Sequence, residues 1–497
     1  MKRFYDVAVI GSGLGGLLCA YILSKHGYKV AVAEQGKQLG GCLQVFRRKG
    51  YTFDTGMHYI GSLNEGEIMH TLFRYFGLME KCRVKRLDED GFDLVTFAGK
   101  TYPIAMGYEK FARKLIEFFP AEQVGIRAYI SKIKEIALSS PIYDLRKLAQ
   151  PFLLESEYTR QNVGDFIASF TNDVSLQEVL AGLNPLYAGV KEKTPVYIHA
   201  IIMHSYISSA SRICGGSHTI VDSLVESIRS MGGEVFANQK ITKIHCDDTR
   251  AVSIENSRGE QIFADNFISD IHPAMTLDLL DSHLIRNAYR RRIQTLENTV
   301  ACFSLYIAFK PECVPYIDHN FFHYDGKSVW NNQNYTEENW PQQYIFMHHL
   351  HDTDDAYAQT AQAIAYMNFD DVKEWEKTSR GRRGQAYEDF KERKAQCLLN
   401  KLEEKFPGFR KTVAFYETST PLTYRDYTGT KAGSIYGIQR DCRFFEQTVV
   451  LPRTKIPNLF LTGQNINTHG FLGVSMGAII TCAEILDIQN LINDIYS

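Results

Sequence analysis

A glycine-rich turn near the start of the chain constrains the fold more than any other feature of the sequence. The apolar residues 5–10 predict a short β-strand, and Gly11, Gly13 and Gly16 follow it in the pattern G-x-G-x-x-G. In this pattern the glycines permit a tight turn, a close approach to a pyrophosphate and close packing of the next helix. The N-terminus of the helix "LLCAYILSKHG", which comes next, then favours anionic phosphates, so we expect Leu14, within the turn, to lie beside them.

An acidic residue ends the second predicted strand. The strand "KVAVAE" finishes at Glu34, about 20 residues beyond the turn, where a carboxylate accepts hydrogen bonds from ribose hydroxyls. The alternative is that Glu34 is a solvated residue at a strand end. Because the turn, the helix and the spacing agree, the sequence predicts a dinucleotide-binding domain.

A second glycine pair indicates which dinucleotide is bound. Gly40 and Gly41 follow Glu34 closely and lead into two predicted strands, "LQVFRRKG" and "YTFDTG". Such a pair lets a loop pass close to the first phosphate site. A nicotinamide-dependent dehydrogenase would usually continue directly into another βα unit, so the pattern favours FAD.

Two terminal blocks of the chain resemble a known flavoprotein family. Residues 40–61 and the segment "IPNLFLTGQNINTHGFLGVSMGAIITCAEIL" are similar to phytoene desaturases, carotenoid isomerases and all-trans-retinol saturases, and "FDTGMHYIG" is most similar to the saturases. The resemblance implies an α/β fold with an FAD-binding Rossmann-type domain of the glutathione-reductase type and an interleaved α+β substrate domain. It also implies an FAD-dependent oxidoreductase that acts on CH–CH bonds.

The same resemblance implies a set of residues that contact FAD. Two positions depart from the family pattern: Cys42 stands where many relatives have arginine, and Asn465 stands where aspartate is common. The nearby Lys37, Arg47 or Arg48 could approach a phosphate instead. The implied contacts are Gly11, Gly13, Leu14, Gly16, Glu34, Gly40, Gly41, Asp54, Gly56, Ile241, Gly463, Asn465 and Gly473.

The domain boundaries follow from the alternation of patterns along the chain. The segments 1–64, 206–275 and 416–497 are predicted to form the FAD-binding domain, since 206–275 contains a second mixed αβ block with a hairpin around Gly259. Residues 65–205 are mostly helical in pattern, and residues 276–415 mix strands with polar stretches. These two insertions, 65–205 and 276–415, are predicted to form one substrate-binding domain.

Three residues are candidates for handling the proton that accompanies hydride transfer. His58 and Tyr59 follow the Asp54 turn that is expected to line the flavin, and His469 lies in the C-terminal block. Histidine titrates near physiological pH, which suits it to acid–base work. The alternatives are that His58 caps a strand and that Tyr59 packs in a core. Asp54 is expected to fix the loop by accepting backbone N–H bonds.

Composition excludes several other classes of function. The net charge of −2 shows no excess of basic residues of the kind that nucleic-acid binding requires. Ten cysteines without a C-x-x-C pair argue against structural zinc, and the stretch "FMHHLHDTDD" lacks a recognised ligand spacing, so no metal is predicted. Without a signal-peptide core or a run of roughly 18 apolar residues, the chain is expected to be cytoplasmic. Peripheral membrane contact and oligomeric state stay open.

Three functions are compatible with these patterns. The first is saturation of a C=C bond in an apolar isoprenoid, retinoid or polyene substrate. The second keeps the cofactor but performs carotenoid-type desaturation or cis–trans isomerisation. The third is a prenyl-escort type of binding protein without redox chemistry, which the intact glycine pattern and Glu34 disfavour. A second dinucleotide fingerprint would indicate a pyridine nucleotide as the electron donor. Because only one complete fingerprint is present, the sequence does not identify the donor.

Overall fold

Two large sheets form the framework of the protein. The computed structural model describes residues 3–148, 156–326, 328–330 and 332–497. The first sheet has seven strands, of which five are parallel neighbours and two add an antiparallel extension. In spatial order its strands are Glu234–Phe236, Val30–Ala33, Arg3–Ile10, Gln261–Ser269, Ala251–Asn256 and Ile241–Cys246, with Leu459–Leu461 paired to Gln261–Ser269.

Helices cover the parallel part of this sheet. All four residues of the strand Val30–Ala33 are buried, as expected for a parallel strand that is packed on both faces. The helix Leu14–Lys25 follows the glycine turn and packs against His218–Ser230 and Gly470–Cys482. The strand and helix predicted from the N-terminal pattern are therefore present, and they place the glycine turn at the carboxyl end of a central strand.

The second sheet also has seven strands and is almost entirely antiparallel. Only Asn320–Tyr324 and Asp93–Phe97 run parallel. All nine residues of Ala301–Phe309 are buried, which makes this strand the centre of the second core. In spatial order the strands are Val413–Ser419, Ala301–Phe309, Thr360–Met367, Gln343–His348, Asn320–Tyr324, Asp93–Phe97 and Lys100–Ile104.

Two small sheets, thirteen further α-helices and several short 3-10 helices lie among the described residues. The hairpin Val45–Arg48 and Tyr51–Asp54 precedes a three-stranded sheet of Ile60–Gly61, Ala210–Ile213 and Val84–Arg86. None of the described helices is both long enough and apolar enough to cross a bilayer. The α-helices are Ile68–Tyr75, Tyr108–Phe118, Gln123–Ser139, Val163–Ala168, Val174–Leu180, Val196–Ser208, Pro273–Asp278, Asn287–Thr295, Gln385–Lys405, Phe409–Thr412, Pro421–Thr428, Phe445–Thr448 and Ile488–Tyr496.

The strand pairings show which of the two large sheets each segment of the chain joins. The strand Val413–Ser419 spans the predicted boundary at residue 416 and pairs wholly within the second sheet. The hairpin of Asp93–Phe97 and Lys100–Ile104 lies in the segment 65–205, whose pattern is mostly helical, and it belongs to the second sheet as well. The exact domain division stays a prediction.

A buried hydrogen-bond network around Asp93 connects the second sheet to the loop that follows the first hairpin. Asp93 is fully buried and accepts hydrogen bonds from the Tyr59 hydroxyl and the Asn320 amide, both at 2.8 Å. Arg212 donates to the side-chain oxygen of Asn320 at 2.6 Å. Burial raises the pKa of Asp93 to about 7, although the Asn320 and Tyr59 hydrogen bonds and the Arg212 charge oppose the rise.

We predict that this carboxyl group makes stability depend on pH. Because folding raises the pKa of Asp93 from its ordinary value to about 7, the native state binds more protons than the unfolded state between about pH 4 and pH 7. The wild-type free energy of unfolding, measured relative to Asp93→Asn by urea titration, should therefore fall across this range by up to roughly 1.4 kcal/mol per pH unit.

Above pH 7 the difference between the two proteins should become constant, since Asp93 is then ionised in both states. A difference that rises between pH 4 and pH 7 would contradict the assignment of a raised pKa to Asp93.

Candidate active site

One cavity of about 660 Å³ connects the glycine turn to the second sheet. The residues 11, 13–15, 34 and 40–46 contribute to its first end, and strands of the second sheet contribute to its other end. Twelve of the residues predicted from the sequence line it. They are Gly11, Gly13, Leu14, Glu34, Gly40, Gly41, Gly56, His58, Tyr59, Ile241, Gly463 and Asn465.

The glycine turn has the geometry that its sequence pattern predicts. Gly11 has φ +96°, in the left-handed region that favours glycine, and its N–H donates to the Ala33 carbonyl at 2.9 Å. A Cβ atom on Gly16 would clash with the Gly11 carbonyl oxygen. The helix Leu14–Lys25 can therefore begin directly against the turn. Gly16 serves this packing and does not line the cavity.

An acid that the sequence analysis did not single out lies at the centre of the turn. Asp270 follows the strand Gln261–Ser269, and its carboxylate accepts the N–H of Gly16. A Cβ atom on Gly15 or on Gly463 would stand 2.5 Å from a carboxylate oxygen of Asp270, and one on Gly13 would clash with it. Three glycines, at 13, 15 and 463, are thus required by this one side chain.

The environment of Asp270 favours its neutral form. Burial raises the pKa of Asp270 to about 7, the Gly16 N–H opposes the rise, and the charge of Glu34 adds to it. A carboxyl group that can carry a proton near neutral pH repels a neighbouring phosphate less than an ionised one. Its only local signal in the sequence is its position directly after an apolar strand, which is the same position that Glu34 has.

Glu34 is held in place at the nucleoside end of the cavity. It is 8% exposed, and its carboxylate accepts hydrogen bonds from the N–H and hydroxyl of Ser12 at 3.0 and 2.8 Å and from the N–H of Gly36 at 2.7 Å. Ile241 lines the same end together with Gln239 and Lys240. These partners fix the orientation of the acid that the spacing predicts for the ribose.

The second glycine pair contacts the first turn. Gly40 has φ +107° and donates its N–H to the Ser12 carbonyl at 3.1 Å. A Cβ atom on Gly41 would stand 3.1 Å from the Cα of Gly13. The loop therefore passes beside the phosphate turn, and side chains at these positions would fill the space between them.

The departure at Cys42 changes the charge of this region. Cys42 lines the cavity with an accessible side chain. Desolvation by the surrounding wall, with a further contribution from the charge of Asp270, raises the pKa of its thiol to about 11. It therefore stays neutral where many relatives have a cation. Of the three basic residues that could substitute for it, Arg48 lines the cavity, whereas Lys37 and Arg47 do not.

The C-terminal block forms the next part of the wall. Gly463 has φ +89° and lines the cavity, and the side-chain oxygen of Asn465 accepts the Ile438 N–H at 2.9 Å. Gly473 lies behind the wall, where a Cβ atom would clash with Thr468. Its absent side chain allows the helix Gly470–Cys482 to start tightly, and a contact of Gly473 with FAD stays a prediction.

The segment "FDTGMHYIG" bridges the two ends of the cavity. Asp54 lies outside the cavity, and its carboxylate accepts the N–H and the hydroxyl of Ser217 at 2.8 and 2.5 Å. This bond braces the loop against the start of the helix His218–Ser230. A Cβ atom on Gly56 would stand 2.6 Å from the Cys42 carbonyl oxygen, so the loop packs against the second glycine pair.

His58 and Tyr59 both line the cavity but differ in chemistry. Burial, with a further contribution from His349, lowers the pKa of His58 to about 3, so the imidazole is neutral at physiological pH. Tyr59 presents its ring, whereas its hydroxyl donates to Asp93. Burial next to Asp93 raises the pKa of Tyr59 well above its usual value. A catalytic role for either residue stays a prediction.

His469 is held by the scaffold. Its Nε2 donates to the Leu186 carbonyl at 2.7 Å, and its ring stacks on Tyr436 with centroids 3.9 Å apart. Burial lowers the pKa of His469 to about 4 despite that hydrogen bond. The side chain lies behind Tyr436 and Leu186, which line the cavity. A catalytic role for His469 stays a prediction.

The second sheet supplies an apolar wall that the sequence analysis did not identify. Ile345 and Met347 on one strand, and Ile364 and Tyr366 on the next, alternate so that one face of the sheet meets the cavity. These residues come from separate parts of the chain and share no local motif. Further apolar and aromatic lining residues are Phe322, Tyr306, Tyr424, Tyr436 and Phe471.

The histidine-rich stretch does not form a metal-ligand cluster. Across the part of the chain that the structure describes, only Asp88, Asp318 and His319 bring three such side chains within ligand distance of one another. His349 and His351 instead share the hydroxyl of Thr360 as a hydrogen-bond partner.

This geometry defines an FAD-dependent oxidoreductase with an apolar chamber. Residues 14–486 match the family described as flavin containing amine oxidoreductase, and the chain belongs to this family. Its predicted Rossmann-type fold and FAD cofactor are thereby confirmed.

Relatives with assigned names are similar over nearly the whole chain. All-trans-retinol 13,14-reductase of Homo sapiens is 26% identical over 99% of this chain and 87% of its own. Prolycopene isomerase 2, chloroplastic, of an Oncidium hybrid cultivar is 24% identical over 87% of this chain and 75% of its own. An oxidoreductase structure from Methanosarcina mazei shares the fold, with a TM-score of 0.64 and 18% identity over 96% of this chain and 99% of its own.

The residues of the first end fit FAD. The helix Leu14–Lys25 has no side-chain cap at Gly13, so its N-terminus is open to an anion. The contact between Gly41 and Gly13 leaves backbone where side chains would fill the space of a pyrophosphate. Glu34 supplies acceptors for ribose hydroxyls, and Gly463 and Asn465 continue the wall towards the apolar end.

We predict that a methyl group at the phosphate turn expels the cofactor. In Gly13→Ala the new Cβ would clash with Asp270 at the point of closest approach. The purified variant should lose most of its bound flavin, measured by absorbance, while its circular dichroism spectrum stays that of the parent. Gly259→Asn is the matched control, since Gly259 has φ +78° with open space around it and asparagine tolerates this region.

The control should keep its flavin. If Gly13→Ala keeps its full flavin absorbance, the cofactor does not bind at the phosphate turn.

Proposed function

We propose that the protein saturates a C=C bond of an apolar isoprenoid, retinoid or polyene substrate. The observation that carries this proposal is the continuity of one cavity from the FAD cradle to the apolar face of the second sheet, with His58 on the wall between them. The similarity to an all-trans-retinol 13,14-reductase over 99% of the chain supports the same substrate class.

The residues of the chamber divide the work of the reaction. Reduced FAD supplies the hydride when it is bound. The apolar side chains Ile345, Met347 and Ile364 bind the hydrocarbon and exclude water from the site. The saturated product also needs one proton on the neighbouring carbon, and a group beside the substrate must deliver it.

His58 is the proposed proton donor. It lines the same cavity as the apolar wall, and its depressed pKa of about 3 keeps the ring neutral, with one N–H available. A neutral imidazole is a weak acid, so it donates effectively only if its other nitrogen takes up a proton as the first one leaves. This condition makes the surroundings of His58 part of the mechanism.

The alternatives predict different products. A desaturase would convert the substrate to one with two fewer hydrogen atoms and needs oxidised flavin at the start. An isomerase, which the similarity to prolycopene isomerase favours, would return a product of unchanged mass. An escort protein would bind the lipid without chemistry, and the FAD cradle disfavours it.

Anaerobic incubation of the dithionite-reduced holoenzyme with candidate polyenes separates these reactions. We expect flavin reoxidation that is coupled to a product heavier by two hydrogen atoms, measured by mass spectrometry. The flavin-depleted Gly13→Ala protein provides the blank.

An isomerised product of unchanged mass, with the flavin still reduced, would replace saturation by isomerisation. Reaction of only the oxidised enzyme would indicate desaturation.

Replacing His58 by alanine should leave the protein yellow but slow the saturation step. General acid catalysis typically contributes about 100-fold or more, so a fall in single-turnover flavin reoxidation of roughly this size is expected. His245→Ala is the control, because this histidine pairs with Glu255 on the first sheet and does not line the cavity. Unchanged turnover of His58→Ala would show that this histidine has only a structural role.

A further inference from the structure

A second, much smaller cavity lies directly behind His58. Its volume is about 10 Å³, which is room for one water molecule. His58 lines this cavity as well as the large one, so its ring forms part of the partition between them. Arg212, His349 and Asp54 contribute to the far side of the small cavity.

Three residues around this cavity carry buried polar atoms without a hydrogen-bond partner. They are Nδ1 of His58, Nε of Arg212 and Nε2 of His349. Leaving one such atom unsatisfied costs about 1–3 kcal/mol, so three around a polar space of this size indicate a bound water. The lining holds one cation, Arg212, and one anion, Asp54, and this balance suits a neutral occupant.

The two histidines lie close to each other and both line the small cavity. Their rings are parallel within 10°, with centroids 6.2 Å apart. Neither orphaned nitrogen bonds directly to the other ring. A single water between them could donate to one nitrogen and accept from the other.

Behind His349, a chain of hydrogen bonds leads towards the surface. Nδ1 of His349 and Nε2 of His351 lie 3.0 and 2.9 Å from the hydroxyl oxygen of Thr360. His351 is half-buried, and its backbone N–H, not its ring, donates to the carboxylate of Asp355 at 3.1 Å, which fixes its position near the surface. The Thr360 hydroxyl also lies 3.2 Å from the Thr52 carbonyl, to which it can donate. When its one hydrogen turns instead to one histidine, its oxygen still accepts from the other histidine.

The electrostatics keep the inner members of this chain neutral. Burial lowers the pKa of His349 to about 3, and His351 and Arg212 contribute to the shift. His58 is neutral for the same main reason. Each neutral ring holds a single N–H proton, and it can pass a proton on by taking one at its free nitrogen and releasing one at the other.

We propose that the small cavity holds one water molecule, through which His351, Thr360 and His349 pass protons from solvent to His58. The inference rests on the proposed function and deepens it. The hydride from the reduced flavin forms one C–H bond, and the His58 proton forms the other. His58 regains its proton from the water, the water from His349, and one solvent proton enters at His351. The dithionite-reduced flavin supplies both electrons and ends oxidised.

Two substitutions at Thr360 test the relay. Thr360→Val removes the hydroxyl at nearly constant volume, whereas Thr360→Ser keeps it. We expect single-turnover saturation to slow by about tenfold or more in Thr360→Val and to return close to the parent rate in Thr360→Ser. Flavin content should be equal in all three proteins. Thr454→Val, at a buried threonine whose hydroxyl donates to the carbonyls of Ile456 and Leu459, controls for loss of a buried hydroxyl.

A readout that does not depend on turnover is a high-resolution crystal structure of the FAD-bound protein. It should show an ordered water among His58, Arg212 and His349. An empty cavity, or a Thr360→Val protein as fast as the parent, overturns the relay while saturation by the parent stands. If the parent saturates none of the polyenes tested, the proposed function fails, and proton delivery to a substrate fails with it.

Discussion

The meeting of three glycine-rich loops around the carboxyl group of Asp270 is the constraint on which the rest of the structure depends. The phosphate turn, the loop at Gly41 and the loop at Gly463 approach so closely that a Cβ atom at most of these positions would collide with backbone or with Asp270. Two neighbouring parallel strands, Arg3–Ile10 and Gln261–Ser269, end here and bring the loops together. The FAD cradle is therefore a product of sheet register as much as of the glycine motif.

The rest of the chamber is governed by burial. Removing carboxyl and imidazole groups from water favours their neutral forms, and the pKa values of about 7 for Asp270 and about 3 for His58 both follow from this cause. A chamber of neutral polar groups beside an apolar wall suits a hydrocarbon substrate. It also means that His58 holds only its single N–H proton, so that proton must be replaced after each turnover that uses it.

Local patterns predicted the parts of the molecule that are local in space. The first strand, the helix Leu14–Lys25, Glu34 and the second glycine pair lie near one another along the chain, so their spacing carried the prediction. Asp270 and the wall residue Ile345 could not be predicted, because sheet pairing brings them to the site from distant segments. The surroundings of His58 could not be predicted for the same reason, and the "FMHHLHDTDD" stretch showed only that no recognised metal-ligand spacing is present.

The central claim is that one chamber holds the flavin at its glycine end and the substrate against the second sheet. A crystal structure of the protein with FAD and a non-reactive polyene tests it most directly. The account predicts the pyrophosphate at Gly11–Gly16, the flavin ring beside Gly56 and His58, and the polyene against Ile345 and Ile364. A flavin ring remote from His58, or a polyene bound outside this cavity, would contradict it.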